Sequence, residues 1–236
     1  MKFKAIDLFC GAGGMSVGLA RAGFEVEGVD LKCSKNYPFK MHVADAMTFD
    51  VSGYDFVHAS PPCQAYSIAA QTRREAGTVY PDLLAATRDK LAKSGKLYTI
   101  ENVPGAPMMP AVILCGSMFG LKLVRHRLFE TNFPGLIMTT PCQHPKLPVT
   151  VCGSGTPSWV RPRLKAATGK SQFSEREKRD AMGITWMNRA ELSQSLPPAY
   201  GEFIGRIMLK HLLTSEINTV AGITSPGAER CSRRER

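Results

Sequence analysis

The side chains best able to do chemistry in this 236-residue chain sit in four short runs. In 60-SPPCQ-64 a thiol, Cys63, follows two prolines. Pro61 and Pro62 restrict the backbone, so the sulfur can be held in one attack geometry at little entropic cost. A thiolate is a strong nucleophile, and its pKa falls near positive charge or a helix N-terminus. The alternative is an inert, buried cysteine beside a turn. Gln64, Tyr66 and Ser67 count against it, because they do not make a buried helix start. In 96-KLYTIENV-103 the carboxylate of Glu101 ends an apolar run, where burial without a partner is expensive. With a raised pKa it could give a proton or a hydrogen bond to a ring nitrogen; the plainer reading is a cap or loop carboxylate. In 125-RHR-127, Arg125 and Arg127 alternate, so on a strand both point to one side, as a carboxylate or phosphate would require. A solvated strand face is the competing reading.

The fourth run is 9-FCGAGG-14. Gly11, Gly13 and Gly14 let the backbone turn tightly and approach a ligand. The run departs from the dinucleotide fingerprint, since Ser16 stands at the third glycine position. Asp30 ends the next apolar run, at the right remove to accept hydrogen bonds from ribose hydroxyls. The pair implies a nucleoside-bearing cofactor without demanding a pyrophosphate.

The elements that must position these runs alternate. Strands are expected at 3–9, 24–30, 41–45, 54–60 and 96–103. Helices are expected after Gly14, stopped by Gly23, and at 81–94, with Pro81 in the first turn and Gly95 past the end. Residues 121–131 read as two strand segments or one bent strand. This order predicts an α/β fold, a doubly wound, mostly parallel sheet with helices on both faces. Ligands of such sheets sit outside the carboxyl ends of the strands, where these polar and glycine-rich runs fall.

The catalytic domain is expected over 1–131 and 175–213. Between them, 132–174 reads as a short irregular insert with little core of its own. A helix capped by Ser174 should follow, then a final helix within 195–213, and a disordered basic tail over 214–236. With 44% hydrophobic residues the chain can bury one sizeable core. Its net charge of +10 implies a polyanionic partner. Seven cysteines without repeated spacing, and no apolar run suited to a signal peptide or membrane span, point to a cytoplasmic setting. Cys142, His144 and Cys152 could be three zinc ligands, but a structural site wants four at standard spacing, so no metal is assigned. In 158-SWVRPR-163, Trp159 could stack or wedge, and Arg161 and Arg163 could meet phosphates or guanine edges. A buried Trp anchoring a loop is the alternative.

The ordered set DLFCGAGG (7–14), SPPCQ (60–64), ENV (101–103), RHR (125–127) and EREKRDAMG (175–183) resembles the DNA cytosine-5 methyltransferases over roughly residues 4 to 210. The combination is specific; no single piece is. The resemblance implies a class I, Rossmann-like methyltransferase fold that uses S-adenosylmethionine. It implies Phe9 against the adenine, Asp30 on the ribose, and Asp45 with Ala46 at the adenine edge. A cytosine flipped out of double-stranded DNA would be attacked at C6 by Cys63, with Glu101 at N3 and Arg127 and Arg125 anchoring the base or its neighbours. Gln64 and Ser67 would lie on the nucleic-acid side, and the insert would read the target.

Two departures stand out. Leu123 replaces the glutamine usual two residues before the first arginine. In 194-QSLPPAYGEFIG-205, prolines stand where the family's closing motif has glycine-asparagine. The second leaves room for a modified methionine donor or a catalytically silent DNA-binding protein. A transfer-RNA cytosine methyltransferase is a further alternative. Such compact versions are similar to those of bacterial viruses, with or without a restriction partner. A monomer with no obligate protein partner is expected.

Overall fold

The protein is described here from a computed structural model, which covers residues 2–151 and 156–220. Seven strands form one sheet: β1 (Lys4–Leu8), β2 (Glu25–Asp30), β3 (Lys40–Val43), β4 (Phe56–Ala59), β5 (Leu97–Asn102), β6 (Ala111–Leu114) and β7 (Arg127–Thr131). Their order is β3-β2-β1-β4-β5-β7-β6. The first five pair in parallel; β7 runs antiparallel to β5, and β6 antiparallel to β7. This is the expected mostly parallel, Rossmann-like sheet, closed on one side by an antiparallel edge.

Both faces of the sheet are covered, which is why the central strands read as nearly continuous apolar runs. On one face α1 (Gly14–Ala22) and α7 (Pro198–Val220) pack over Phe3, Ala5, Phe24, Phe56 and Phe129. On the other, α3 (Leu84–Ser94) covers Ile6, Leu8, Val57 and Ile100. Helix α1 ends where Gly23 takes a left-handed conformation, φ 118°, as its sequence predicts. A short helix, α2 (Gln71–Glu75), follows the Cys63 loop.

Several expectations need correction. Pro81 lies outside α3, which begins at Leu84. Within 121–131 only the last five residues form a strand; Leu123 instead makes an isolated parallel bridge to Val149. Strand β6 was not anticipated, because AVIL has no period to separate strand from helix. The insert is not coreless. Its helix α4 (Arg161–Thr168), with Val149, Val151 and Phe173, builds a third core against α5 (Glu175–Met182) and α6 (Arg189–Gln194). Finally, α7 continues through residues 214–220, so that part of the supposed tail is helix; residues 221–236 lie outside the described residues. The Ser174 cap is present as a full capping box with Glu177.

Candidate active site

A cleft of about 470 Å³ opens at the carboxyl ends of β1, β2, β4 and β5. It lies where the strand order reverses between β1 and β4, the topological switch point of such sheets. Cys63, Glu101 and Arg127 line it together with Phe9, Gly11, Gly14 and Asp30. Residues from four separate runs of the sequence thus share one cavity.

One end of the cleft is built around the glycine turn. Asp30 ends β2, and its carboxylate accepts a hydrogen bond from the backbone N–H of Gly11 at 3.0 Å. Gly11 has φ 53°, and a Cβ there would project into open space. Phe9 is the only non-glycine residue with positive φ among the described residues, at 61°. A bulky side chain in that region is strained and persists only where its surroundings hold it. The turn is fixed from outside by Trp186, whose Nε1 donates to the carbonyl of Ala12 at 2.9 Å.

At the other end lies Cys63. Its carbonyl accepts hydrogen bonds from Tyr66 N at 3.0 Å and Ser67 N at 2.8 Å, so the prolines open a tight turn. Arg74 of α2 donates to the carbonyls of Gln64 and Ser67 at 2.6 and 2.7 Å, and Asn102 donates to the Pro61 carbonyl at 3.3 Å. The loop is held at both ends. Glu101 is buried at the end of β5 and pairs with Arg127 Nε at 2.9 Å. Burial raises the pKa of Glu101, while Arg127, Arg125 and a hydrogen bond from Ser60 oppose the shift. Burial also raises the Cys63 thiol, helped by Glu101 and opposed by Arg127 and Arg125. The resting cysteine is therefore a thiol.

Two residues behind this pair escaped sequence reasoning. His58 is fully buried and held neutral, its pKa pushed down to about 3 by burial. Its Nε2 lies 2.9 Å from Ser60 Oγ and its Nδ1 2.9 Å from Thr99 Oγ1. Because Ser60 donates its hydrogen bond to Glu101, the Nε2–H donates to Ser60 and Nδ1 accepts from Thr99. The clue was an apolar strand, YDFVHAS, that carries a histidine two residues before a serine. Asp7 was also missed. It lines the cleft, is buried, and accepts a short hydrogen bond from Ser16, which accepts one from Tyr37 at 3.0 Å. Burial pushes Asp7 up to about 7.

Other assigned residues fall elsewhere. Asp45 and Ala46 do not line the cleft: Asp45 caps a turn through Met47 N at 2.8 Å, and Ala46 is buried in the second core. Gly13 does not line it either; a Cβ there would meet Tyr37 and Pro38 at 3.0 and 2.9 Å. Arg125 precedes β7 rather than sharing its face with Arg127. It is buried and donates to the carbonyl of Ser193 at 2.9 Å. Gln64 lines the cleft, whereas the Ser67 hydroxyl caps the next turn through Ala69 N at 3.2 Å. Trp159 is 61% exposed, which removes the buried-anchor reading, and Arg161 and Arg163 are exposed in α4.

The model of the C-5 cytosine-specific DNA methylases matches residues 3–108, the segment carrying the glycine turn, Cys63 and Glu101. Solved structures share the fold across nearly the whole chain. A DNA modification methyltransferase encoded within an E. coli prophage is 16% identical with a TM-score of 0.59, covering 90% of this chain and 100% of its own. Spodoptera frugiperda DNMT2 is 13% identical with a TM-score of 0.58, covering 88% and 100%. The Entamoeba histolytica methyltransferase EhMeth is 13% identical with a TM-score of 0.57, covering 90% and 99%. No curated protein sequence matches the chain.

The cofactor of this cytosine-5 methylase family is S-adenosylmethionine. The cleft fits it in size, lying within the usual range for small-ligand sites, and in its strand-end carboxylate beside an open glycine turn. The run that departs from the closing motif, 194-QSLPPAYGEFIG-205, borders this cleft through Gln194, Ser195 and Leu196. Ser195 and Leu196 form a wall of the cleft directly over Gly14, where a Cβ would come within 2.1 Å of Ser195 Oγ and 2.2 Å of the Leu196 carbonyl. Pro198 then starts α7, where its missing N–H does no harm. Glu191 of α6 ties this wall to the loop after β2, accepting from Asn36 Nδ2 at 2.7 Å and Ser34 Oγ at 3.2 Å.

Proposed function

We propose that the chain is a DNA cytosine-5 methyltransferase that works through a covalent bond between Cys63 and C6 of an extruded cytosine. The observation that carries this reading is the meeting of Cys63 and the Glu101–Arg127 pair in one cleft with Asp30 and the glycine turn. C6 of cytosine is a poor electrophile until N3 is protonated or hydrogen-bonded. Glu101, with its raised pKa, supplies that proton; Arg127 fixes its carboxylate, and the His58–Ser60 relay holds the other side.

The sulfur of Cys63, its thiol proton released to water, adds to C6 and turns C5 into a nucleophile. Bound S-adenosylmethionine would supply the methyl group that C5 receives, its sulfonium sulfur leaving as a neutral thioether. Loss of the C5 proton to water and departure of the sulfur restore the aromatic ring. The reacting atoms lie inside the stack of a duplex, so the base must swing out to reach Cys63. Asp30 would hold the ribose hydroxyls of the cofactor and Phe9 would meet its adenine. Gln64, whose Oε1 is buried without a partner among the described residues, faces the base. Trp159, Arg161 and Arg163 of the insert contact DNA, consistent with their exposure and with the net charge of +10. Residues 1–131 and 175–213 serve as the catalytic domain and 132–174 as the target reader. Among the described residues no helix is long and apolar enough to cross a membrane.

The test is mass spectrometry of nucleosides from plasmid DNA of cells expressing the chain or its Cys63→Ser variant. Methyl on C5 of cytosine, absent with Cys63→Ser, is the expected result. A heavier adduct would replace the donor assignment. Unmodified DNA with methylated cytosine in RNA would replace the substrate assignment, and no modification at all would leave a silent binder.

A further inference from the structure

We propose that Cys115, His126, Cys142 and His144 bind one structural zinc ion, which clamps the insert to the antiparallel edge of the sheet. The four come from three separate segments. Cys115 follows β6, His126 immediately precedes β7, and Cys142 and His144 open the insert. Their ligand atoms all lie within 4.8 Å of one another. Cys115 Sγ is 3.7 Å from His144 Nε2, and Cys142 Sγ is 3.5 Å from His126 Nε2. A tetrahedral zinc with ordinary Zn–S and Zn–N lengths requires S···N edges of about 3.5 Å. The two histidine rings stand nearly edge to face, 71° apart, with centroids 5.1 Å apart, so both nitrogens point inward without stacking.

Two thiols hydrogen-bonded to two imidazoles would account for the pairwise distances. They do not account for all four atoms closing on one centre. Cys115 also carries the surroundings of a thiolate ligand. It caps a 3-10 turn whose Met118 N–H points at the sulfur, and Ser117 Oγ donates to it at 3.4 Å. Such donors stabilise a metal-bound thiolate. Soft sulfur and imidazole donors in a tetrahedral S₂N₂ set select zinc over hard cations. All four positions are protein side chains, so the site is closed and structural. The sequence reading paired Cys142 and His144 with Cys152, which lies outside the described residues, and assigned no metal. The structure gives these two the partners Cys115 and His126 instead.

The placement has a consequence for the cleft. His126 sits between Arg125 and Arg127, and Arg127 Nη1 donates to its carbonyl at 2.7 Å. Fixing His126 therefore fixes the backbone that presents Arg127 to Glu101.

The experiment is elemental analysis of the full chain purified without chelator and without a histidine tag, followed by cobalt substitution. One zinc per chain is expected. The cobalt form should show the strong visible absorption of a tetrahedral site and thiolate-to-cobalt charge transfer. His144→Cys should keep one zinc with three thiolates, Cys142→Ala should lose it, and Cys33→Ser, at an exposed cysteine away from the cluster, should keep it. Because the wild-type stoichiometry and cobalt spectrum are decisive by themselves, a variant that fails to fold leaves the test intact. A folded wild-type chain that takes up no zinc or cobalt would overturn the proposal. So would a Cys115–Cys142 disulfide in freshly isolated protein, or zinc retained in full by folded Cys142→Ala.

Discussion

The parallel half of the sheet and its antiparallel edge build their sites in opposite ways. In the parallel half, each reactive residue ends a strand or lies in the turn after one: Asp30 at the end of β2, Cys63 after β4, Glu101 near the end of β5. Strand ends meet automatically once the strands pair, so the cleft follows from topology. At the edge, Cys115, His126, Cys142 and His144 come together only because a hairpin and an insert fold back on each other. The first kind of site tolerates change in what surrounds it. The second depends on something that holds distant segments in register. This chain has both, since Ser195 and Leu196 wall the cleft over Gly14, and the insert packs on α5 and α6.

The sharpest way to break the comparison lies in the chemistry of the parallel half. Glu101→Gln should lower the single-turnover rate by roughly 10²–10⁴-fold, the range of a lost proton donor. The pH profile should change with it. The reactive form needs Glu101 protonated and Cys63 ionised. Both groups are raised by burial. Raising the pH gains thiolate and loses protonated acid, so the wild-type rate rises and then falls with pH. In Glu101→Gln the donor no longer titrates, so the falling limb should disappear and the remaining rate should climb about tenfold per pH unit until Cys63 ionises. A falling limb that persists in the variant would remove Glu101 from the proton path.

A smaller effect tests the wall of the cleft. Gly14→Ala places a methyl against Ser195 and the Leu196 backbone, so it should destabilise the fold by about 1–3 kcal/mol. It should also weaken S-adenosylmethionine binding in calorimetry. Unchanged stability and affinity would mean that residues 195–196 do not lie on the glycine turn. The smallest effect belongs to the other region's support. Ser174→Ala removes the capping box of α5 and should cost about 1 kcal/mol, lowering Tm by about 2–4 °C in calorimetry. No shift would show that α5 is held by its core contacts alone.

Sequence reasoning reached the parallel half because its signals are local. An apolar run followed by glycine, aspartate or PPC marks a strand end whatever lies beyond it. The same reasoning failed where the answer depends on distant partners. Asp45 looks equivalent to Asp30 in sequence, yet it bonds its own turn. Arg125 and Arg127 look like one strand face, yet β7 begins only at Arg127, and Leu123 upstream makes an isolated bridge to Val149. His58 was invisible as a site residue, since only the sheet brings Thr99 and Ser60 against its two nitrogens. Cys115 and His126 were likewise ordinary residues until the insert delivered Cys142 and His144. The insert's core was missed for the same reason: its apolar residues pack on α5 and α6, not on one another in sequence.

The central claim is that Cys63 bonds to C6 of the target base. Incubation with S-adenosylmethionine and DNA containing 5-fluorocytosine tests it most directly, because fluorine at C5 cannot leave as a proton does and the adduct persists. The account predicts a denaturation-resistant protein–DNA complex whose cross-link maps by peptide mass spectrometry to Cys63 and is absent in Cys63→Ser. A cross-link at another residue, or methyl transfer to unmodified DNA with no trapped complex on the fluorinated substrate, would contradict it.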